Sequence, residues 1–153
     1  MANTYSQIYI QIVFAVKYRQ NLIDPSFKNQ LEKYITGIVE NRNTKMIAIY
    51  CMPDHVHLLI GMKPSTLLTD IVRDVKASSS KYINDRNLTQ TKFAWQNGFG
   101  AFSYSHSHLD RVVKYIRNQS IHHRNKKFHD EYLEYLKQYA VEYKSEYLFE
   151  TFD

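Results

Sequence analysis

The chain has 153 residues, 44% of them apolar and 23% charged, with a net charge of +5 and a pI near 9.2. That is the size of one domain with a substantial core and too short for two, and no low-complexity tract, repeat or linker marks a boundary, so residues 1–153 are expected to form a single domain. The lone cysteine, Cys51, excludes an internal disulfide and any multi-thiolate zinc site within one chain.

No apolar run has the length of a membrane span and the N-terminus lacks a signal-peptide order, so a cytoplasmic protein with no membrane partner is expected. The basic balance favours an anionic partner. Ile8, Ile10, Ile12, Phe14 and Val16 alternate with Tyr9, Gln11, Val13 and Ala15, a period of two that predicts a central strand. Asp24-Pro25 supplies an N-cap and a proline suited to the first helical turn, after which Phe27, Leu31, Tyr34, Ile35 and Ile38 share a helical stripe expected to end between Glu40 and Asn43. Met46 to Met52 and His55 to Met62 read as the two arms of a hairpin turned at Pro53-Asp54. Ser65 or Thr66 is expected to cap a second helix, with Leu67, Leu68, Ile71, Val72 and Val75 on its apolar side, running to about Asn84. Phe93 to Trp95 and Phe99 to Tyr104, separated by Asn97-Gly98, suggest a last strand or hairpin, with Trp95 in the core. Ser107-x-x-Asp110 fits a capping box for a third helix whose apolar stripe is Leu109, Val112, Val113 and Ile116. A fourth helix is expected from about Asp130 to Tyr147, its tyrosines at 132, 135, 139, 143 and 147 serving packing rather than base stacking. The order is α+β, with a mainly antiparallel sheet backed by helices.

Two polar groups stand out from this frame. His55 and His57 lie two apart on a strand, so their side chains point the same way while Val56 faces the other side. Taken alone, the pair fits two imidazoles sharing a cation or two core histidines each satisfied by a neighbour. Tyr115 and Gln119 are four apart and share a helix face, with Arg111, Asn118 and His122 close by. Between Arg111 and Lys127 there are six lysines and arginines and no acid, which reads as a solvated basic face or a phosphate-contacting one. Asp54 is either a turn former or an acceptor that orients a histidine, and His106-Ser107-His108 reads as exposed residues at a helix start.

Met52-Pro53-Asp54-His55-Val56-His57, followed about sixty residues later by Tyr115-Ile116-Arg117-Asn118-Gln119 and His122-His123-Arg124, closely resembles the single-tyrosine HUH transposases of small bacterial insertion sequences and their REP-associated relatives. The opening strand, the helix bearing Leu68, Ile71, Val72, Arg73, Val75 and Lys76, and Trp95 to Ser103 follow that family's pattern in the same order. The resemblance implies a ferredoxin-like HUH fold, with two helices on one sheet face, the tyrosine-bearing helix at the other, and a C-terminal helix. It implies a transposase that cuts and rejoins single-stranded DNA at hairpin-bearing element ends. His55, His57 and Gln119 would hold Mg2+ or Mn2+, and Tyr115 would form a 5′-phosphotyrosine. It also implies a bacterial or archaeal homodimer in which one subunit's tyrosine helix can complete the other's site. DNA contacts are expected from Lys76, Arg111, Lys114, Arg117, Asn118, His122 and Arg124, with Asp54 behind a histidine.

The metal's identity comes from the resemblance, because imidazoles alone suit zinc, copper or iron better than magnesium. No residue of the sequence stands out as the base that would activate Tyr115. Competing readings are a nucleic-acid-binding module without catalysis, a host-domesticated relative that processes chromosomal repeats, and a histidine-dependent nucleotide hydrolase. The last is disfavoured because Leu59 takes the place of the third histidine such an enzyme needs.

Overall fold

A computed structural model describes residues 4–122 and 126–142. Strands β1 (Ile8–Ala15), β2 (Lys45–Cys51), β3 (His55–Met62) and β4 (Gly100–Tyr104) form one antiparallel sheet in the order β2-β3-β1-β4. Its helices are α1 (Pro25–Glu40), α2 (Leu68–Asp85), α3 (Leu109–Arg117), α4 (Gln119–His122) and α5 (Phe128–Gln138). Among the described residues no helix is long and apolar enough to cross a membrane.

The alternation of β1 and β3 divides the molecule into two layers. Ile12, Phe14, Val56, Leu58 and Ile60 face α1 and α2, packing with Phe27, Leu31, Ile35, Ile71, Val75 and Ile83 in the larger core. On the other face, Val13, Ala15 and Phe102 meet Phe128 and Leu136 of α5, while Ala48 and Leu59 meet Val112 and Ile116 of α3. The arrangement is the expected one, with two helices on one face and the tyrosine-bearing helix on the opposite face.

The start of α1 agrees with its sequence: Asp24 Oδ1 accepts the Ser26 backbone N–H at 2.8 Å, with Pro25 at the first helical position. Other boundaries differ. Neither Ser65 nor Thr66 is the cap of α2, which begins at Leu68 with Leu67 at the cap; the residues before it form a turn in which the Thr66 N–H donates to the Lys63 carbonyl. The capping box at Ser107 does not form either. His106–His108 is a 3-10 turn, and Ser105 Oγ lies 2.7 Å from His108 Nδ1.

Phe93 to Trp95 supplies only an isolated bridge between Val16 and Trp95, not a strand. Trp95 is nevertheless core, edge-on to Phe14 and donating from Nε1 to Ser79 Oγ at 2.9 Å. The tyrosine helix breaks at Asn118 (φ −100°, ψ 21°), so Gln119 opens α4 instead of extending α3. Likewise α5 stops at Gln138, because Ala140 adopts φ +52° and the Val141 N–H returns to the Leu136 carbonyl at 2.9 Å. Tyr143 and Tyr147 lie outside the described residues.

Candidate metal and nucleophile site

β3 begins immediately after the Pro53-Asp54 turn, which puts His55 and His57 on the α3 and α5 side of the sheet, both fully buried. His55 Nδ1 lies 2.7 Å from Asp54 Oδ1, and His57 Nδ1 lies 2.7 Å from Gln11 Oε1 on the neighbouring strand. Both partners are acceptors, so each ring donates from Nδ1 and turns its Nε2 inward, toward Glu131. Burial pulls the His55 pKa down to about 4 against the opposing effect of its Asp54 hydrogen bond, which keeps this ring neutral near pH 7. Phe128 stacks on it, ring centroids 3.8 Å apart.

The two Nε2 atoms converge on Glu131, in the first turn of α5 and 2% exposed. Its Oε1 lies 3.2 Å from His57 Nε2 and 3.9 Å from His55 Nε2, while Oε2 accepts the Tyr115 hydroxyl. Tyr115, on α3, has its ring 6.2 Å from that of His57 and edge-on to Tyr135. Burial, followed by the Glu131 charge, raises its pKa above the ordinary phenol value, so the hydroxyl is protonated at rest. Gln119 is buried beside it, its Nε2 3.4 Å from the Tyr115 carbonyl. A cleft of about 560 Å³ opens onto Tyr115, bordered by Gln11, Tyr104, His108, Arg111, Glu131 and Tyr135.

The structure thus gathers Asp54, His55, His57, Tyr115 and Gln119 within one chain. Arg111 borders the cleft, Lys114 and Arg117 are exposed along the same helix, and Asn118 is exposed at its end. His122 closes α4, and Arg124 lies outside the described residues. Lys76 is not gathered with them: on α2, at the opposite face, its Nζ donates to the Gln96 and Gly98 carbonyls at 2.7 and 2.6 Å. Burial lowers its pKa to about 8. The tyrosines at 132, 135 and 139 pack against Phe102 and its neighbours, as expected.

Two site residues escaped the sequence reading. Gln11 carried a signal, being the one amide in an otherwise apolar alternation. Glu131 carried none, since an acid among tyrosines on an amphipathic helix is ordinary. Two imidazole nitrogens and a carboxylate oxygen, buried and all within 4.8 Å of one another, fit a divalent cation in number and donor type.

An antiparallel sheet whose inner strand presents paired histidines to a tyrosine on a separate helix defines a single-tyrosine HUH protein. The chain belongs to the family described as "Transposase IS200 like", which it matches over residues 4–119. It is 24% identical over 118 residues to the ISDra2 transposase TnpA of Deinococcus radiodurans, covering 74% of this chain and 84% of that protein. It is also 24% identical over 97 residues to the IS200 transposase of Salmonella typhimurium, 63% of each chain. Among solved structures, a candidate transposase from D. radiodurans R1 superposes with a TM-score of 0.64 at 21% identity, covering 78% of this chain and 95% of that one. A REP-associated tyrosine transposase bound to a REP hairpin superposes at 0.57 and 16% identity, covering 80% and 73%.

Proposed function

We propose that the chain is a DNA strand transferase that cleaves and rejoins single-stranded DNA at element ends, residues 1–153 acting as one domain. The observation that carries this reading is the Tyr115 hydroxyl held in the same buried cluster as His55 and His57. Tyr115 Oη attacks the phosphorus, forming an Oη–P bond as the P–O3′ bond breaks. Tyr115 gives up its hydroxyl proton to its hydrogen-bond acceptor Glu131 Oε2, and the leaving 3′ oxygen takes the electron pair and a proton, so one proton is released and one taken up. The 5′-phosphotyrosine conserves the phosphate bond, so attack by another 3′-hydroxyl rejoins a strand and frees Tyr115 without an outside energy source.

His55, His57 and Gln119 are proposed to hold Mg2+ or Mn2+. When bound, the cation withdraws charge from the non-bridging phosphate oxygens as the transition state forms. The chain's own residues provide the rest. Asp54 and Gln11 fix the imidazoles with Nε2 turned inward. The cleft beside Tyr115 admits the strand, and Arg111 at its border meets backbone phosphate. Lys114, Arg117, Asn118, His122 and Arg124 are proposed as further DNA contacts on sequence grounds. A hairpin is the proposed recognition element, supported by the REP hairpin in the fold neighbour. Flanking hairpins beside the coding sequence would indicate a mobile element in the cytoplasm of a bacterium or archaeon, and dispersed repeats a domesticated one.

The test is incubation with single-stranded hairpin ends and Mn2+, followed by a denaturing gel. A covalent protein–DNA adduct is expected from the wild type and none from Tyr115→Phe. An adduct that persists in Tyr115→Phe overturns the assignment.

A further inference from the structure

We infer that Glu131 is a protein ligand of the divalent cation and that the same carboxylate holds the Tyr115 hydroxyl beside that cation. This rests on the reading of the site as cation-dependent. The hydrogen bonds at Nδ1 of both histidines turn both Nε2 atoms toward Glu131 Oε1, at 3.2 and 3.9 Å. Three atoms of metal-ligating type therefore lie within 4.8 Å of one another, on groups that are 2% exposed or fully buried. Without a cation, His57 Nε2 and Glu131 Oε1 are within hydrogen-bonding distance, and a divalent cation taking the place of the proton between them would meet all three atoms at once.

The carboxylate also answers a chemical mismatch. A set of two imidazoles and a neutral amide offers little to a hard ion such as Mg2+ or Mn2+, whereas a carboxylate oxygen is its preferred protein donor. Asp54 cannot serve, because it occupies the Nδ1 side of His55, away from the convergence point.

The two oxygens of Glu131 divide the work. Oε1 faces the histidines and Oε2 accepts from Tyr115, so one side chain fixes the distance between cation and nucleophile. Phe128 on His55, and Leu136, Tyr132 and Tyr135 on Val13, Ala15 and Phe102, hold α5 in place to do this. Glu131 lies on α5, beyond residues 4–119 over which the chain matches its family.

Calorimetric titration of the full chain with Mn2+, without DNA, tests the inference. Wild type is expected to bind, His57→Ala to lose binding, and Glu131→Gln to bind at least roughly tenfold more weakly. The Mn2+-induced rise in melting temperature should shrink in parallel in Glu131→Gln. Should that variant fail to fold, Glu131→Asp replaces it, withdrawing the oxygen by one methylene, with the same loss expected. Equal or tighter Mn2+ binding by the variant overturns the inference and makes Glu131 a plug in the cation's place. Absence of binding by wild type overturns it as well. Mn2+ binding that depends on Glu131, together with no DNA adduct, would count against strand transfer and leave the ligand assignment standing.

Discussion

His55 couples the site to the stability of the cation-free protein. Its folded pKa of about 4 lies below the ordinary 6.5, because burial penalises the imidazolium more than Asp54 and Glu131 stabilise it. On acidification the unfolded chain therefore takes up this proton first, and stability falls between pH 6.5 and about 4, levelling off below. The group contributes about 3 kcal/mol over that window. Urea unfolding of metal-free protein should show wild type losing about that much more than His55→Gln between the two pH values. Parallel pH profiles would refute the assignment. His55, His57, Tyr115 and Gln119 were legible as residues because each sits in a short motif with a defined spacing. Glu131 was not, because its role comes from packing α5 across the sheet, a contact between positions more than seventy residues apart.

At the scale of elements, α1, β1 and the β2–β3 hairpin were readable because their signals are local: an Asp-Pro cap, a period of two, a Pro-Asp turn. The ends of α3 and α5 were not, since Asn118 and Ala140 take their turning conformations against tertiary contacts, with no glycine or proline announcing them. The docking of α5 depends on another position without a motif. Gly100 opens β4 beneath α5, where an added Cβ would stand 2.6 Å from the Tyr132 hydroxyl oxygen and 3.1 Å from Cζ. Gly100→Ala must push the Tyr132 ring outward, at a cost of about 1–3 kcal/mol for overpacking. The loss should appear as a lowered urea midpoint, and Tyr132→Ala in the same chain should recover part of it. If the two substitutions are additive, Tyr132 does not press on Gly100. The displacement also carries Glu131 away from the histidines, so weakened Mn2+ binding should accompany it.

For the molecule as a whole, the question is whether one chain supplies a complete site. The resemblance implies a homodimer in which a tyrosine helix can cross to the partner, yet here Tyr115 meets the histidines of its own chain through Glu131. Exchange would require α3 to leave β2 and β3, uncovering Val112 and Ile116, which are 7% and 0% exposed against Ala48 and Leu59. Each such side chain contributes about 1.5–3 kcal/mol by burial, so the crossing is unfavourable unless the partner rebuilds the same contacts. Withdrawing Tyr115 would also leave the buried Glu131 carboxylate without that hydroxyl donor, at a further cost of about 1–3 kcal/mol. The geometry therefore predicts cleavage in cis. Mixing Tyr115→Phe with His57→Ala protein under conditions that allow subunit exchange should give no more covalent adduct than the two give separately. Adduct recovered in the mixture would instead establish that the helix crosses between subunits, with the basic residues on α3 carried over to the partner's DNA.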